Sequence, residues 1–520
     1  MKHRILPLIL SVVLILTLAA CDDAKTADSK ADDIPASVET DKQVISIFVP
    51  SRRSDSLYSM DTLTIAELAK RMNVTFDIDT TPSNGATAKL SVIVSSGEIP
   101  DITAGNISLL KQYGDEGAFL ALDELIDDRY PNLKRYLLDN PEVMAQSISS
   151  DGHLYVVPMQ SAVKSAMGYM IRKDWLDKLG LSKPVTIDDW GNVLTAFKTH
   201  NLNGGKVTPL FLDNAWENYC HMFSDAWGIE LTKSKDYFTV IDDKKVFAPV
   251  TEECRDYLAT MQKWYKEGLI DKEFMTRENT CDYHVLNNLA GAGCYWSGYL
   301  AGMNDNPEVI ANDPDTNWEI VDPPVLNEGD APRTFSQQAK TVGYGWSIYS
   351  ETENAEKILE IFDYVYSDEG SVLFNFGIEN ESFVKTGDDY KYSDKVMAEG
   401  TTEWVMKNGC QAYIGMRQMP EYEIAQAGSE KACYQLLYYD NNNMFYPMNP
   451  VLTMDEDSKD RYDTVMEPII SYVDEELIKF ITGDRSMDEF DSFVNKINDM
   501  GIEEAERLQN NAFEKYKSLF

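Results

Sequence analysis

Most of the short motifs that identify enzymes and metal proteins are missing from this sequence. It contains no Cys-x-x-Cys, no His-Glu-x-x-His, no Gly-x-Ser-x-Gly and no Walker-type loop, and it has only 5 histidines in 520 residues. Sites for metals, for nucleotides and for serine hydrolysis therefore lack their usual signals. We expect no cofactor and no bound metal.

Basic residues and long apolar runs are also scarce. Lys and Arg number 47 against 86 Asp and Glu, which gives a formal net charge of -39. A surface of that charge repels nucleic acid and anionic lipid, so we expect no nucleic-acid partner. No run after residue 21 is apolar enough to enter a bilayer. With 43% hydrophobic residues, the chain can still bury the cores of two or more lobes.

The first 21 residues have the pattern of a bacterial export signal. Lys2 and Arg4 give a basic start, residues 5–16 are almost entirely apolar, and Leu-Ala-Ala-Cys ends the segment at Cys21. The apolar run is shorter than the ~20 residues that span a bilayer core. The ending resembles the bacterial lipobox, which implies removal of residues 1–20 as a lipoprotein signal peptide and a lipid on the Cys21 thiol. Residues 21–41 are mostly small and polar and predict a disordered spacer.

Cysteine is too sparse for a disulfide framework. The seven cysteines are Cys21, Cys220, Cys254, Cys281, Cys294, Cys410 and Cys433. Lipidation of the first would leave six, an even number that permits disulfides outside the cytoplasm. Their spacing does not define pairs, and buried free thiols fit equally well.

The body opens with a strand, a helix and a strand. Residues 44–49 form a β-branched apolar run, residues 65–72 keep helical spacing, and residues 74–78 alternate as a strand does. This βαβ order predicts a parallel sheet and an α/β fold. Residues 85–96 are ambiguous between helix and strand, and a short strand is predicted over 154–158.

Later helices carry recognisable start signals. Capping boxes are predicted at Thr186 with Asp189, Ser350 with Glu353, and Ser486 with Glu489. Each precedes apolar residues at helical spacing, and Gly501 stops the third helix before a last one that ends near Tyr516. The C-terminal tail is therefore predicted to be helical and packed.

Six segments along the chain carry a further signal: residues 96–102 (Ser-Gly-Glu-Ile-Pro-Asp-Ile), 151–158, 171–181 (Ile-Arg-Lys-Asp-Trp-Leu-Asp-Lys-Leu-Gly-Leu), 355–370, 375–378 and 482–516. In this order they resemble the extracellular solute-binding lipoproteins of bacterial ABC importers, in particular those for sugars and oligosaccharides. Each is weak alone, but their order and spacing argue against a chance match. Composition and periodicity by themselves indicate only a secreted, tethered, multi-lobed α/β protein.

The resemblance implies a two-lobe periplasmic-binding-protein-like fold with a ligand cleft between the lobes and a helical tail. Lobe one would take residues 42–159 and 340–380, and lobe two residues 160–339 and 381–520, with crossings near 160–168, 340 and 381. The implied function is capture of a carbohydrate and its delivery to an ABC permease. We expect a monomer, held at the outer face of the cytoplasmic membrane by lipid on Cys21.

Two other functions stay open at this point. A tethered glycosidase would need two carboxylates flanking a sugar bond, and 86 acidic residues supply such pairs by chance. A cleft for peptides or another polar solute is the third possibility, because a fold does not define its ligand. We expect a binding protein and not an enzyme.

Aromatic rings are the first site candidates, because sugars present flat C–H faces to them. The resemblance places ligand contacts after a lobe-two strand, where Tyr295, Trp296 and Tyr299 lie between or beside glycines. Tyr344 and Trp346 lie at the predicted crossing. The other aromatic candidates are Trp216, Phe383, Trp404 and Tyr413. For every one of them the alternative is packing in a core.

Planar polar side chains are the second class of candidates. They are Arg52 and Arg53 after the first strand, Asn106 and Ser108 after the third, and Arg172 and Arg417. Two adjacent arginines cannot both point the same way, so at most one of the first pair would contact ligand. Arg172 and Arg417 are possible grips for a carboxylate or sulfate, and their convergence would indicate an acidic oligosaccharide. The alternative for both is an ordinary ion pair.

A calcium loop found in some relatives of this family is altered. Residues 199–206 keep two glycines and two asparagines but contain no carboxylate. Because calcium is bound by oxygen ligands at alternating positions, usually including carboxylates, we predict no calcium there.

Overall fold

In a computed structural model of the chain, the described residues are 42–164, 167–212, 222–277, 280–387, 389–427 and 429–518. Every helix in these ranges is too short or too polar to cross a bilayer. The strands are β1 Gln43–Ser51, β2 Val74–Pro82, β3 Ile102–Asn106, β4 Val157–Gln160, β5 Met167–Arg172, β6 Thr208–Phe211, β7 Phe238–Ile241, β8 Lys244–Phe247, β9 Ala290–Trp296, β10 Trp318–Ile320, β11 Thr341–Ile348, β12 Phe383–Thr386 and β13 Asp389–Tyr392.

Helices surround these strands along the whole chain. The α-helices of the first half are Leu63–Met72, Ala86–Ser96, Ile107–Asp115, Pro131–Leu133, Pro141–Ser147, Lys173–Leu179, Ile187–Thr199 and Glu252–Lys266. Those of the second half are Thr280–Leu286, Ser297–Gly302, Pro307–Asn312, Ala355–Tyr366, Asp368–Phe376, Asp394–Glu399, Thr401–Lys407, Pro420–Ala427, Glu430–Leu436, Tyr438–Asn441, Glu456–Thr482, Phe490–Asp499 and Ile502–Lys517.

The first lobe is built on a five-stranded sheet in the order β2-β1-β3-β11-β4. Strand β1 is parallel to β2 and β3, as the βαβ opening predicts, while β11 runs antiparallel to β3 and β4. The ambiguous residues 85–96 form the helix Ala86–Ser96. Leu90 and Ile93 of that helix are buried with Phe48 of β1, so its inner face is apolar.

The second lobe contains a four-stranded sheet in the order β10-β5-β9-β6. Its core is the larger one and takes residues from β5, β6, β9 and the C-terminal helices, including Phe480, together with Trp190 of the helix Ile187–Thr199 and Phe223. The helix Glu456–Thr482 ends at Gly483, where a φ of 83° requires a left-handed residue. The C-terminal tail is thus helical and packed, as predicted.

Two of the three predicted capping boxes form. The Thr186 hydroxyl accepts from the backbone N–H of Asp189, and Ser486 pairs likewise with Glu489. The box predicted at Ser350 is wrong, because the helix Ala355–Tyr366 begins after Asn354 with no side-chain cap. The helix itself is present, since its apolar face packs on the first core whether or not its end is capped.

The chain passes between the lobes in neighbouring segments. After β4 the Ser161 N–H donates to the Lys340 carbonyl at 2.9 Å, and the Gln338 N–H donates to the Lys164 carbonyl at 2.8 Å. The crossing predicted near 381 stays a prediction, and the chain after that point still contacts the first core. Ala412, Ile414 and Met416 still pack in the first core, because the Gln160 N–H pairs with the Met416 carbonyl beside β4.

Candidate functional site

A cleft of about 520 Å³ is lined by residues of both lobes and of the segments between them. That volume lies within the roughly 300–1,000 Å³ typical of small-molecule sites. From the second lobe it takes Trp296, Ser297, Gly298, Tyr299, Gly302, Met303, Asn306 and Leu436. The other lining residues are Arg52, Val163, Gln338, Thr402, Gln411, Gln418, Tyr422, Glu423, Gln426 and Ala427.

Trp296 and Tyr299 supply the aromatic surface of the second-lobe wall. Trp296 ends β9 with 41% of its surface exposed, and Tyr299 lies one turn later in the helix Ser297–Gly302 with 44% exposed. Large aromatic side chains are usually buried, so two half-exposed rings on one wall are available to a ligand. Tyr295 is half-buried, its ring centroid 5.6 Å from that of Tyr299.

The phenol of Tyr299 is oriented by an acidic neighbour. It donates a hydrogen bond to Asp282, and burial together with this bond raises the pKa of Tyr299. The phenol therefore stays protonated at neutral pH, and its ring is held in place beside Trp296.

The glycines before this segment have a packing role that the sequence did not reveal. A Cβ at Gly291 or Gly293 would collide with the rings of Phe197 or Phe211, both of which are fully buried. They let two aromatic rings of the core lie against β9. Their presence therefore does not indicate ligand contact at the neighbouring rings.

Arg52 lies in the cleft lining, at the end of β1. Its Nη1 donates to the Gln411 carbonyl at 3.3 Å, and its guanidinium lies 5.2 Å from the ring centroid of Tyr413. Tyr413 stacks in turn on Tyr344, with ring centroids 3.9 Å apart. Neither tyrosine is among the residues that line the cleft, and their stacked rings lie beside Arg52.

Arg53 is bonded to residues outside the cleft lining. Of the two adjacent arginines, Arg52 is the one that lines the cleft. The Nε of Arg53 donates to Asp55 at 2.7 Å and its Nη1 pairs with Glu403. Asn106 caps the helix Ile107–Asp115, where its Oδ1 accepts from the N–H of Ser108 at 2.9 Å. Neither Asn106 nor Ser108 is among the residues that line the cleft.

Arg172, a predicted ligand contact, is buried in the second lobe and is not among the residues that line the cleft. Only 1% of it is exposed, and its Nη2 lies 2.7 Å from Asp174 and 2.8 Å from Asp313. Asn288 accepts from Nη1, and the guanidinium lies 4.6 Å from the ring centroid of Trp175. The guanidinium thus makes four hydrogen bonds, all inside the second lobe.

Arg417 is also committed elsewhere. Its Nη2 donates to Asp368 at 2.7 Å, its Nε donates to Ser371 at 3.2 Å, and its guanidinium lies 4.3 Å from the ring centroid of Tyr136. Arg172 is thus bonded to Asp174 and Asp313 and Arg417 to Asp368, and neither arginine is among the residues that line the cleft.

Three aromatic candidates pack in cores instead of facing a ligand. Trp346 is 1% exposed and stacks on Phe362 with centroids 4.2 Å apart. Phe383 and Trp404 are buried together in a small cluster with Phe376. The sequence could not distinguish these rings from cleft rings, because burial depends on distant segments. Trp216 and Cys21 lie outside the described residues.

Sequence reasoning missed the polar wall of the cleft. Gln338, Gln411, Gln418, Tyr422 and Glu423 line it and were not predicted. Glutamines are common on surfaces, and no motif marked these. Burial raises the pKa of Glu423, while the positive charge of Arg52 opposes that rise.

The Asn203 side chain holds the altered calcium loop, residues 199–206, by hydrogen bonds. Asn203 Nδ2 donates to the Asn288 carbonyl at 2.7 Å, and its Oδ1 accepts from the Gly205 N–H at 3.3 Å. Within the described ranges no cluster of three or more His, Cys, Asp or Glu side chains is arranged to hold a metal. The absence of calcium binding here stays a prediction.

Comparison with known proteins identifies similar sequences and folds. A family model for bacterial extracellular solute-binding proteins matches residues 55–372. The fructooligosaccharide ABC transporter substrate-binding protein FusA of Streptococcus pneumoniae is 26% identical over 487 residues, covering 88% of this chain and 82% of that protein. Lipoprotein LipO of Bacillus subtilis is 26% identical over 401 residues, covering 71% of each chain.

Solved structures confirm the predicted two-lobe α/β fold. The alginate-binding protein AlgQ2, in a crystal structure without calcium ion, superposes with a TM-score of 0.74 at 24% identity, covering 91% of this chain and 99% of that one. At this level of identity the likeness speaks for the fold alone.

Proposed function

This chain belongs to the bacterial extracellular solute-binding proteins, and from that premise we propose that it captures an oligosaccharide in the cleft between its lobes and delivers it to an ABC transporter permease. The observation that carries the proposal is the half-exposed Trp296 in a cleft lined by amide side chains. Aromatic faces and planar hydrogen-bonding groups together suit the apolar faces and hydroxyl rims of sugars. The name of the relative FusA points to carbohydrates as well.

We propose that delivery uses closure of the lobes. The crossing segments are few and are bonded to one another at Ser161 and Gln338, which suits a hinge. A ligand that contacts Trp296 on one lobe and the Gln411 segment on the other would favour the closed form, and the permease would select that form. We propose that the boundaries between the two lobes lie near residue 160, near residue 340 and between residues 418 and 430.

The proposed activity is binding without turnover. A glycosidase needs two carboxylates flanking the sugar bond. Among the described lining residues, Glu423 alone carries one. Incubation with oligosaccharides followed by product analysis is expected to yield only intact sugar, and cleaved product would contradict this.

A ligand panel tests the proposed function. We expect neutral or acidic oligosaccharides to change the tryptophan fluorescence of the mature protein saturably, because a sugar that covers Trp296 removes water from its ring. Peptides of similar mass are the control and should leave the emission unchanged. A saturable change with peptides and none with sugars would overturn the carbohydrate assignment.

We propose that the protein acts as a monomer tethered by lipid on Cys21, since the relative LipO is a lipoprotein and the Leu-Ala-Ala-Cys ending matches a lipobox. Cys21→Ser is expected to abolish labelling by a radioactive fatty acid and to shift the protein from the membrane fraction to the medium. Ligand affinity should not change, because the spacer separates Cys21 from the cleft. Labelling that persists in the variant would refute the anchor.

A further inference from the structure

A chain of amide hydrogen bonds behind the cleft determines which atom Gln418 presents to a ligand. Asn375 is fully buried, and its Oδ1 accepts from the backbone N–H of Met419 at 3.0 Å. Its Nδ2 donates to the carbonyls of Ser371 and Arg417 at 2.7 and 2.8 Å. A backbone N–H can only donate and a backbone carbonyl can only accept. These bonds therefore define which end of the Asn375 amide is the oxygen and which is the nitrogen.

The orientation of the Asn375 amide determines the orientations of the Gln411 and Gln418 amides between it and the cleft surface. Gln411, 1% exposed, donates from Nε2 to Asn375 Oδ1 at 2.7 Å, so its Oε1 is the atom left to accept. Gln418 donates from Nε2 to that Oε1 at 2.9 Å. No hydrogen bond of the described residues uses the Oε1 of Gln418, which lines the cleft. The wall therefore offers a hydrogen-bond acceptor there.

The described residues that line the cleft carry no net charge when Arg52 and Glu423 are both ionised. Among the described lining residues, Arg52 is the one cation and Glu423 the one carboxylate. Arg52 already donates to the Gln411 carbonyl, while Glu423 is a second acceptor. The wall also offers donors, because the bond to Gln411 uses one of the five N–H groups of Arg52 and the Nε2 of Gln426 has no hydrogen-bond partner among the described residues. A hydroxyl both donates and accepts and so suits this wall, whereas a carboxylate cannot donate to Gln418 Oε1 and meets the like charge of Glu423.

We infer that this cleft takes an uncharged oligosaccharide, that one sugar hydroxyl donates to Gln418 Oε1, and that Asn375 and Gln411 act as positioning residues for it. The inference rests on the proposed function and narrows its substrate class. Arg172 and Arg417, the cations suited to an acidic sugar, are bound to Asp313 and Asp368 instead. The net charge of -39 adds a long-range repulsion of polyanions.

Matched titrations test the inference. Neutral gluco-, fructo- and xylo-oligosaccharides and galacturonate oligomers of the same lengths are titrated against the mature protein by calorimetry. We expect the best neutral sugar to bind at least about tenfold more tightly than any galacturonate. Equal or tighter binding of a galacturonate overturns the inference and leaves the proposed function standing. If neither the neutral sugars nor the galacturonates bind, both the inference and the proposed function are wrong.

Two variants examine the wall itself. Glu423→Gln removes the negative charge at constant size and should reduce the preference for neutral over acidic sugar about tenfold. Gln418→Met removes the acceptor and should lower neutral-sugar affinity about tenfold. Gln112→Met, at an exposed glutamine outside the cleft, is the control and should change nothing. An unchanged preference in Glu423→Gln contradicts the inference even if Gln418→Met fails to fold.

Discussion

Trp296→Ala is expected to weaken oligosaccharide binding about 30- to 100-fold, which corresponds to about 2–3 kcal/mol. Trp296 presents a large half-exposed ring at the end of β9, in the cleft that Gln418 and Arg52 also line. Losing the ring removes both the apolar area that a sugar covers and the exclusion of water around its hydroxyls. Isothermal titration with a sugar that binds the wild type measures the loss.

Two controls separate this effect from unfolding. Trp296→Phe keeps a smaller ring and should lose clearly less affinity than the alanine variant. Tyr349→Ala truncates a partly exposed tyrosine outside the cleft lining and should bind as the wild type does. If Trp296→Ala binds normally at an unchanged thermal midpoint, the ring does not contact the ligand and the site lies elsewhere.

Arg172→Ala is expected to destabilise the second lobe by about 3 kcal/mol, because it leaves the partly buried carboxylates of Asp174 and Asp313 without their shared cation. Burial alone would raise the pKa of Asp313, but its hydrogen bond with Arg172 and the charge of that arginine lower it below its usual value. Urea unfolding followed by circular dichroism measures the change.

Arg461→Ala is the matched control for the buried arginine. Arg461 pairs with Glu504 on the surface, with 63% of its side chain exposed, and its removal should cost about 0–1 kcal/mol. Arg172→Lys keeps the charge but lacks the planar guanidinium that bonds two carboxylates at once. We expect its loss in free energy of unfolding to lie between those of Arg172→Ala and Arg461→Ala. A loss of sugar affinity at unchanged stability in Arg172→Ala would restore this residue as a ligand contact.

The elements that were predicted correctly depend on residues close in sequence. The βαβ opening, the capping boxes at Thr186 and Ser486, and the helical tail follow from spacing within a few turns. The family assignment is also confirmed, since ordered local segments carry it. The box at Ser350 failed although its pattern matched, because the first core holds that helix without a cap.

The burial of the site candidates depends on residues that are distant in sequence. Trp296 and Trp346 look alike in sequence, both beside glycine and aromatic residues, yet one is 41% and the other 1% exposed. Phe362, on a helix that follows β11, covers Trp346. Arg172 could not be distinguished from a ligand contact because one of its carboxylates, Asp313, lies 141 residues later.

By itself, the sequence determined the α/β class, the order of its segments and the family to which the chain belongs, because these are written in patterns a few residues long. Only the tertiary structure decided which side chains form the cleft. Gln411 lies beside Arg52 across 359 residues, and the acceptor that Gln418 presents depends on an amide buried behind it. The chemistry of the site is thus a property of long-range packing, for which no local pattern is a guide.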